Sequence, residues 1–305
     1  MNDQFSYVYN RVLDVTAVGS IMVKPFCIYI ITTKTPKYMQ SVSYFILNEL
    51  IWNFMGNLLF TLGHPFPMMP ALCFRMDGLA GNWLKTENQR SVFFIGIVLT
   101  SFNCSLAFAT TFLFRYLTLH YGAFSRFHKT WGFLYCITCH STMSLLAAFL
   151  FHLWQIPIWL YPKQDLPKDI HNLFCFHPEG AEITIIGCYL VACFGGGTLF
   201  LGLFAGLSVR ELRMKKDSME KKTLHLQKEI MKNLLIISGV AVFLGCVPLV
   251  VMIFCVYNGR FPFAREITAI GMLITLNFGT IYALLILYRF RCYKKAVVDM
   301  IMRLL

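Results

Sequence analysis

Seven apolar segments, each long enough to cross a bilayer, take up most of this chain and constrain what it can become. They lie at 12–32, 41–63, 92–114, 131–153, 183–208, 233–257 and 267–288. A hydrocarbon core of roughly 30 Å needs about 20 helical residues at about 1.5 Å each. Lipid offers a backbone amide no partner, so each segment must satisfy its own amides and is predicted to be an α-helix. The predicted fold class is all-α, a seven-transmembrane helix bundle, with an extracellular segment 1–11 before it and a basic cytoplasmic tail 289–305 after it. The seven segments hold 163 residues, of which only Asp14, Lys24 and Glu49 are fully charged. Composition agrees where it counts: 14% of the residues are charged, against about 25% in a soluble domain. The 29 phenylalanines find a place only where lipid is the solvent. No basic stretch, apolar core and cleavage site mark a leader peptide, so the first span is expected to serve as its own uncleaved anchor.

The connections carry the orientation. Residues 33–40, 115–130, 209–232 and 289–305 hold 18 basic residues against five acidic ones, while 1–11, 64–91, 154–182 and 258–266 hold eight of each. Lys and Arg collect on the cytoplasmic side of membrane proteins, which places the N-terminus outside and the C-terminus inside. The same placement turns the net charge of +12 away from nucleic acid, because the cations sit against a membrane. No internal repeat of the kind found in many transporters is visible.

Charges inside the spans are the next signal, since an isolated one costs about 2.5–3.5 kcal/mol or more at a helix centre. Lys24 lies thirteen residues before Lys37, the centre of the first connection, and Glu49 twelve after it. Matching depth on consecutive antiparallel helices predicts an intramembrane ion pair. The competing reading has Lys24 snorkelling to the surface and Glu49 neutral or bonded elsewhere, to Asn277 for example. Cys73 and Cys175 are the two cysteines of the outer loops, and an oxidising exterior makes them a disulfide candidate. Against it, Cys73 lies 42 residues before Arg115, far from the top of the third helix. Pro248 removes a backbone hydrogen bond inside the sixth span and is expected to kink it into a hinge.

Other patterns are discounted. Cys136-Ile-Thr-Cys139-His140 is spelled like a haem attachment site but lies within the fourth span. Asn103-Cys-Ser105 is spelled like a glycosylation acceptor within the third. Gly202 and Gly206, after Gly195-Gly196-Gly197, have helix-contact spacing and read as a packing face of span five. His140, His152 and Glu49 do not converge as an enzyme's catalytic set would. No enzyme activity, metal or cofactor is expected.

Several motifs at the cytoplasmic edge remain: Thr35-Pro36-Lys37-Tyr38-Met39 with Leu47-Asn48-Glu49 and Trp52 beyond it, Phe114-Arg115-Tyr116, Thr223-Leu224-His225-Leu226-Gln227-Lys228, and Tyr293-Lys294-Lys295-Ala296-Val297. In this order, over nearly the whole chain, they resemble the nematode serpentine chemoreceptors of the Str superfamily, closest to serpentine receptor class H or class I. Cys175-Phe176-His177-Pro178 is similar to the cysteine–proline element of that family's second outer loop. Where the family usually has acidic and amide residues before the arginine, this chain has Leu113 and Phe114; where it has proline before the tail tyrosine, this chain has Cys292. The resemblance implies a G-protein-coupled chemosensory receptor, multi-pass in the plasma membrane of a sensory cilium, with a heterotrimeric G protein, a small-molecule ligand and the bilayer as partners.

On that reading the G-protein-facing residues are Arg115 and Tyr116, the basic hairpin Arg210, Arg213, Lys215, Lys216, Lys221, Lys222, Gln227 and Lys228, and Tyr293 and Lys294 of the tail. Arg115 can bond neighbouring helix ends at rest and face a partner helix when the bundle opens; as a plain interfacial anchor it would obey the charge rule alone. The hairpin equally suits anionic headgroups. The ligand is expected between the outer halves of spans three, five, six and seven, and to be small and uncharged. A transporter or ligand-gated channel is the alternative.

Overall fold

Helix formation runs past the lipid-length windows, because backbone hydrogen bonding needs no apolar side chains to continue. The computed structural model describes residues 4–121, 126–163, 165–167 and 170–304; residues 1–3 of the expected outer segment, parts of the loops at 122–125, 164 and 168–169, and residue 305 lie outside it. The helices are α1 (Gln4–Lys34), α2 (Gln40–Gly63), α3 (Glu87–Tyr121), α4 (Arg126–Trp154), α5 (Ala181–Met214), α6 (Lys221–Tyr257), α7 (Ala264–Arg289) and a surface helix α8 (Arg291–Leu304). The first seven are long and apolar enough to cross a membrane. Residues 4–11, expected as a separate outer segment, are instead the opening turns of α1.

Two of the long helices contain a wider turn. In α5 it is Ala192–Gly196 and in α6 it is Val242–Cys246, both of π type. Pro248 follows the second after one residue and has no N–H to offer Leu244 inside that turn. The irregularity expected from Pro248 thus has two parts, of which the sequence announces one.

The connections between α2 and α3 and between α4 and α5 build a four-stranded antiparallel sheet, an addition to the all-α expectation. Strands β1 (Pro65–Pro67), β2 (Cys73–Met76), β3 (Gln155–Ile156) and β4 (Leu173–Phe176) pair in the order β1-β2-β4-β3. Cys73 and Cys175 are register partners on β2 and β4, and a disulfide joins them. The distance from the top of α3 that argued against this bond is covered by the hairpin, which carries Cys73 across. Phe74, Phe94, Phe174, Phe176 and Trp154 pack beneath the sheet as one aromatic layer. This is the disulfide end of the bundle; the other carries the basic hairpin and tail.

Discounted motifs turn out to be knots of packing. His140 lies between α2 and α3, with Nδ1 2.7 Å from Asn103 Oδ1, Nε2 3.2 Å from Asn48 Nδ2 and the ring stacked on Trp52. The amide of Asn48 donates, so Nε2 accepts and Nδ1 carries the proton. Asn103 donates onward to Ser144 Oγ at 2.8 Å. Gly202 and Gly206, by contrast, are not a packing face against the described residues: a Cβ at either would meet none of their atoms within 4 Å beyond its own helix backbone. They line an open crevice with Leu235, Arg210 and Arg213.

Candidate functional site

Between the helices, under the disulfide-linked sheet, lies a cavity of about 230 Å³. It is lined from α3, α5, α6 and α7 and also from α2 and α4, with Leu72 and Phe74 of the α2–α3 connection above. Both π turns reach it, through Phe194 in α5 and through Val242, Gly245 and Cys246 in α6. Among the described residues, no Lys, Arg, Asp or Glu side chain lines it. Towards the basic end, Phe108 meets Tyr282 edge-on at 5.3 Å.

Beside this cavity lie the two charges buried in the spans, and they do not pair. Lys24 is fully buried and donates to Asn53 Oδ1, with the Asn53 carbonyl 3.5 Å away. Glu49, also buried, accepts from the hydroxyls of Thr111 on α3 and Tyr282 on α7. Asn277 donates to the Leu273 carbonyl of its own helix instead. The expected ion pair is therefore corrected, and so is the snorkelling of Lys24, whereas Glu49 is bonded elsewhere as the alternative had it, though not to Asn277. Side chains on a helix lean toward its N-terminus. On antiparallel α1 and α2 they lean in opposite directions, so residues at matching depth diverge. Lys24 reaches Asn53, one turn beyond Glu49, while Glu49 turns back toward the basic end.

At the basic end, Arg115 is buried and donates to the side chain of Gln227 on α6, with the Gln227 carbonyl 3.4 Å away. Tyr116 stacks on His120 and meets Phe204 of α5. Lys215 donates to the carbonyls of Leu119 and His120, capping the last turn of α3. His120 lies 3.0 Å from Glu211 of α5. Arg210, Arg213, Lys216, Lys221, Lys222 and Lys228 are exposed. Lys294 sits over the Tyr288 ring at 5.0 Å.

Tyr293, read as facing a partner, is instead fully buried, 2.8 Å from the Thr35 hydroxyl. It is on the inner face of α8, where an aromatic ring gains more by covering α1 than by facing water. Burial pushes its phenol well above the ordinary range, so it stays a neutral hydroxyl.

Sequence reasoning missed the partners of the buried charges, Asn53, Thr111 and Tyr282. Tyr282 carried a faint signal, a polar ring in the middle of a span; the threonine carried none.

The comparisons bear on this arrangement. The family profile described as serpentine type 7TM GPCR chemoreceptor Srh matches residues 5–303. No curated protein matches the sequence. The crystal structure of squid rhodopsin is similar at a TM-score of 0.72 with 14% sequence identity, over 100% of this chain and 87% of that one, a likeness of fold. The profile spans nearly every residue, so the chain belongs to the serpentine seven-transmembrane G-protein-coupled chemoreceptors of the Srh family and is not an enzyme.

Proposed function

We propose that this receptor binds a small molecule in the central cavity from the disulfide end, outside the cell, and signals through a heterotrimeric G protein at the basic, cytoplasmic end. Its place is the plasma membrane of a sensory neuron, in the cilium. One observation carries the reading. A single helix, α6, lines the cavity at Val242–Cys246 and holds the clamp on Arg115 at Gln227, about 22–28 Å apart at about 1.5 Å per residue. A ligand that favours one setting of the irregular turn at Val242–Cys246 also favours one position of Gln227. Coupling of this kind needs only differential binding to two arrangements, with no chemical step.

Release of Gln227 frees the Arg115 guanidinium for a partner, beside the exposed cations Arg210, Arg213, Lys216, Lys221, Lys222 and Lys228. These also lie where anionic headgroups collect, and the two roles are compatible.

The test is expression in a heterologous cell with a second-messenger readout against a panel of small volatile and soluble molecules, repeated on Arg115→Ala. A response in the wild type that Arg115→Ala abolishes at unchanged surface expression supports the reading. A current that persists without G protein would assign a channel instead, and an epitope tag placing the tail outside the cell would remove the proposal.

A further inference from the structure

On the reading that puts the basic end in the cytoplasm, we propose that the crevice between α5 and α6 holds an anionic phospholipid of the inner leaflet. One acyl chain lies along α5, and the headgroup phosphate sits between Arg210 and Arg213.

The crevice owes its depth to missing side chains. Gly202 and Gly206 are exposed, and a Cβ at either would meet no described atom within 4 Å beyond its own helix backbone. Ala205 lies buried beneath them. Val209 and, across the gap, Leu235 of α6 complete an apolar wall. The hollow opens away from the bundle, on the side that lipid occupies. From Gly202 to Arg210 it runs about 12 Å along α5, at about 1.5 Å per residue.

Its chemistry changes at the cytoplasmic end. The fifth apolar segment stops at Ser208, and Arg210 and Arg213 line the crevice just beyond it, at the depth where headgroups collect. Both are exposed, and neither has an ion pair or hydrogen bond among the described residues. Glu211, beside Arg210 in sequence, turns inward to His120 at 3.0 Å, and Glu229 of α6 pairs with Arg291 at 3.1 Å. Lys232 and Lys228 of α6 precede Leu235 by three and seven residues on the same face of that helix, and both are exposed. Four cations gather at this end, and these two acids do not neutralise them.

The occupant follows from the two parts. Guanidinium forks match phosphate oxygens two at a time, and the apolar wall matches an acyl chain. An amphiphile with an anionic head supplies both. A choline head would bring its own cation against Lys228 and Lys232. A second copy of this chain suits the glycines but not the arginines. Copies in one membrane share one orientation, so a two-fold pair on this face would set Arg210 and Arg213 against the same residues of the other copy.

The experiment reads retained lipid by native mass spectrometry, on the full chain released from nanodiscs of equal parts phosphatidylinositol and phosphatidylcholine with identical acyl chains. Wild type is expected to retain the anionic lipid about tenfold over the choline lipid. Arg210→Gln with Arg213→Gln is expected to abolish that preference. Lys221→Gln with Lys222→Gln, which removes the same charge from the hairpin outside the crevice, is expected to leave it unchanged. Gly206→Leu fills the hollow where no described atom stands in the way, so it is expected to keep the wild-type unfolding midpoint and lose the retained lipid. Glycerophosphoinositol, the same head without acyl chains, is expected not to displace it.

Equal retention of the two lipids by wild type, an equal loss in the Lys221 and Lys222 variant, or full retention in Gly206→Leu overturns the inference. Displacement by glycerophosphoinositol would overturn it in favour of a phosphate site, and a two-copy mass abolished by Gly206→Leu in favour of a second copy. Retention is read with no ligand or G protein present. Selective retention in a receptor that does not signal leaves the inference standing and removes the signalling proposal; signalling without selective retention does the reverse.

Discussion

Lys24 and Glu49 show what a single residue reveals about itself and what it conceals. Hydropathy alone places both in the bilayer, and the cost of a charge there requires that each be partnered. Which partner it takes depends on the lean of the side chain and on what the facing helix presents at that height. Neither is written in the spacing, and so counting residues to the connection matched the two charges while the structure gives each a separate set of dipoles. A double-mutant cycle tests this. Lys24→Met and Glu49→Gln, read by thermal unfolding in detergent, are expected to add within about 0.5 kcal/mol, as groups without direct contact do. A coupling above about 1 kcal/mol would restore the direct pair.

Among the elements, the sheet at the disulfide end and the α2–α7 seam make the clearest demands. The sheet escaped sequence reading because its strands are two to four residues long, the first of them bounded by prolines, too short for an alternating pattern. Its cysteines were legible as the two in the outer loops, yet their cross-strand register was not. The bond closes a loop across a sequence separation of 102 residues, and removing a bond over a loop of that order costs about 2–5 kcal/mol. Cys73→Ser and Cys175→Ser are each expected to lower the unfolding midpoint, and reductant to lower that of the wild type but of neither variant.

At the α2–α7 seam, Gly279 permits the approach of Asn53, since a Cβ there would collide with its amide. Gly279→Ala is expected to destabilise the bundle by about 1–3 kcal/mol, the usual cost of overpacking, by displacing Asn53 from Lys24. An unfolding midpoint equal to wild type would show that the seam has slack.

For the molecule as a whole, the clamp between Arg115 and Gln227 holds α3 to α6 in the arrangement described here. A hydrogen bond to a charged group contributes about 1.5–3 kcal/mol, enough to move a two-state equilibrium by roughly ten- to a hundredfold. Gln227→Leu is therefore expected to raise ligand-free signalling, measured as second messenger per receptor at the cell surface, whereas Arg115→Ala is expected to abolish it. Unchanged basal output in Gln227→Leu would show that the clamp does not restrain α6.

The number of spans, the segregation of cations to one set of connections and the family were all readable from the chain alone. Hydropathy and charge are sums over neighbours in sequence, and a membrane converts those local sums directly into position. The cavity, the partners of Lys24 and Glu49, the burial of Tyr293 and the register of Cys73 with Cys175 were decided only by the assembled helices. Each depends on which faces of distant segments meet, and at what height, and no property of one segment determines that.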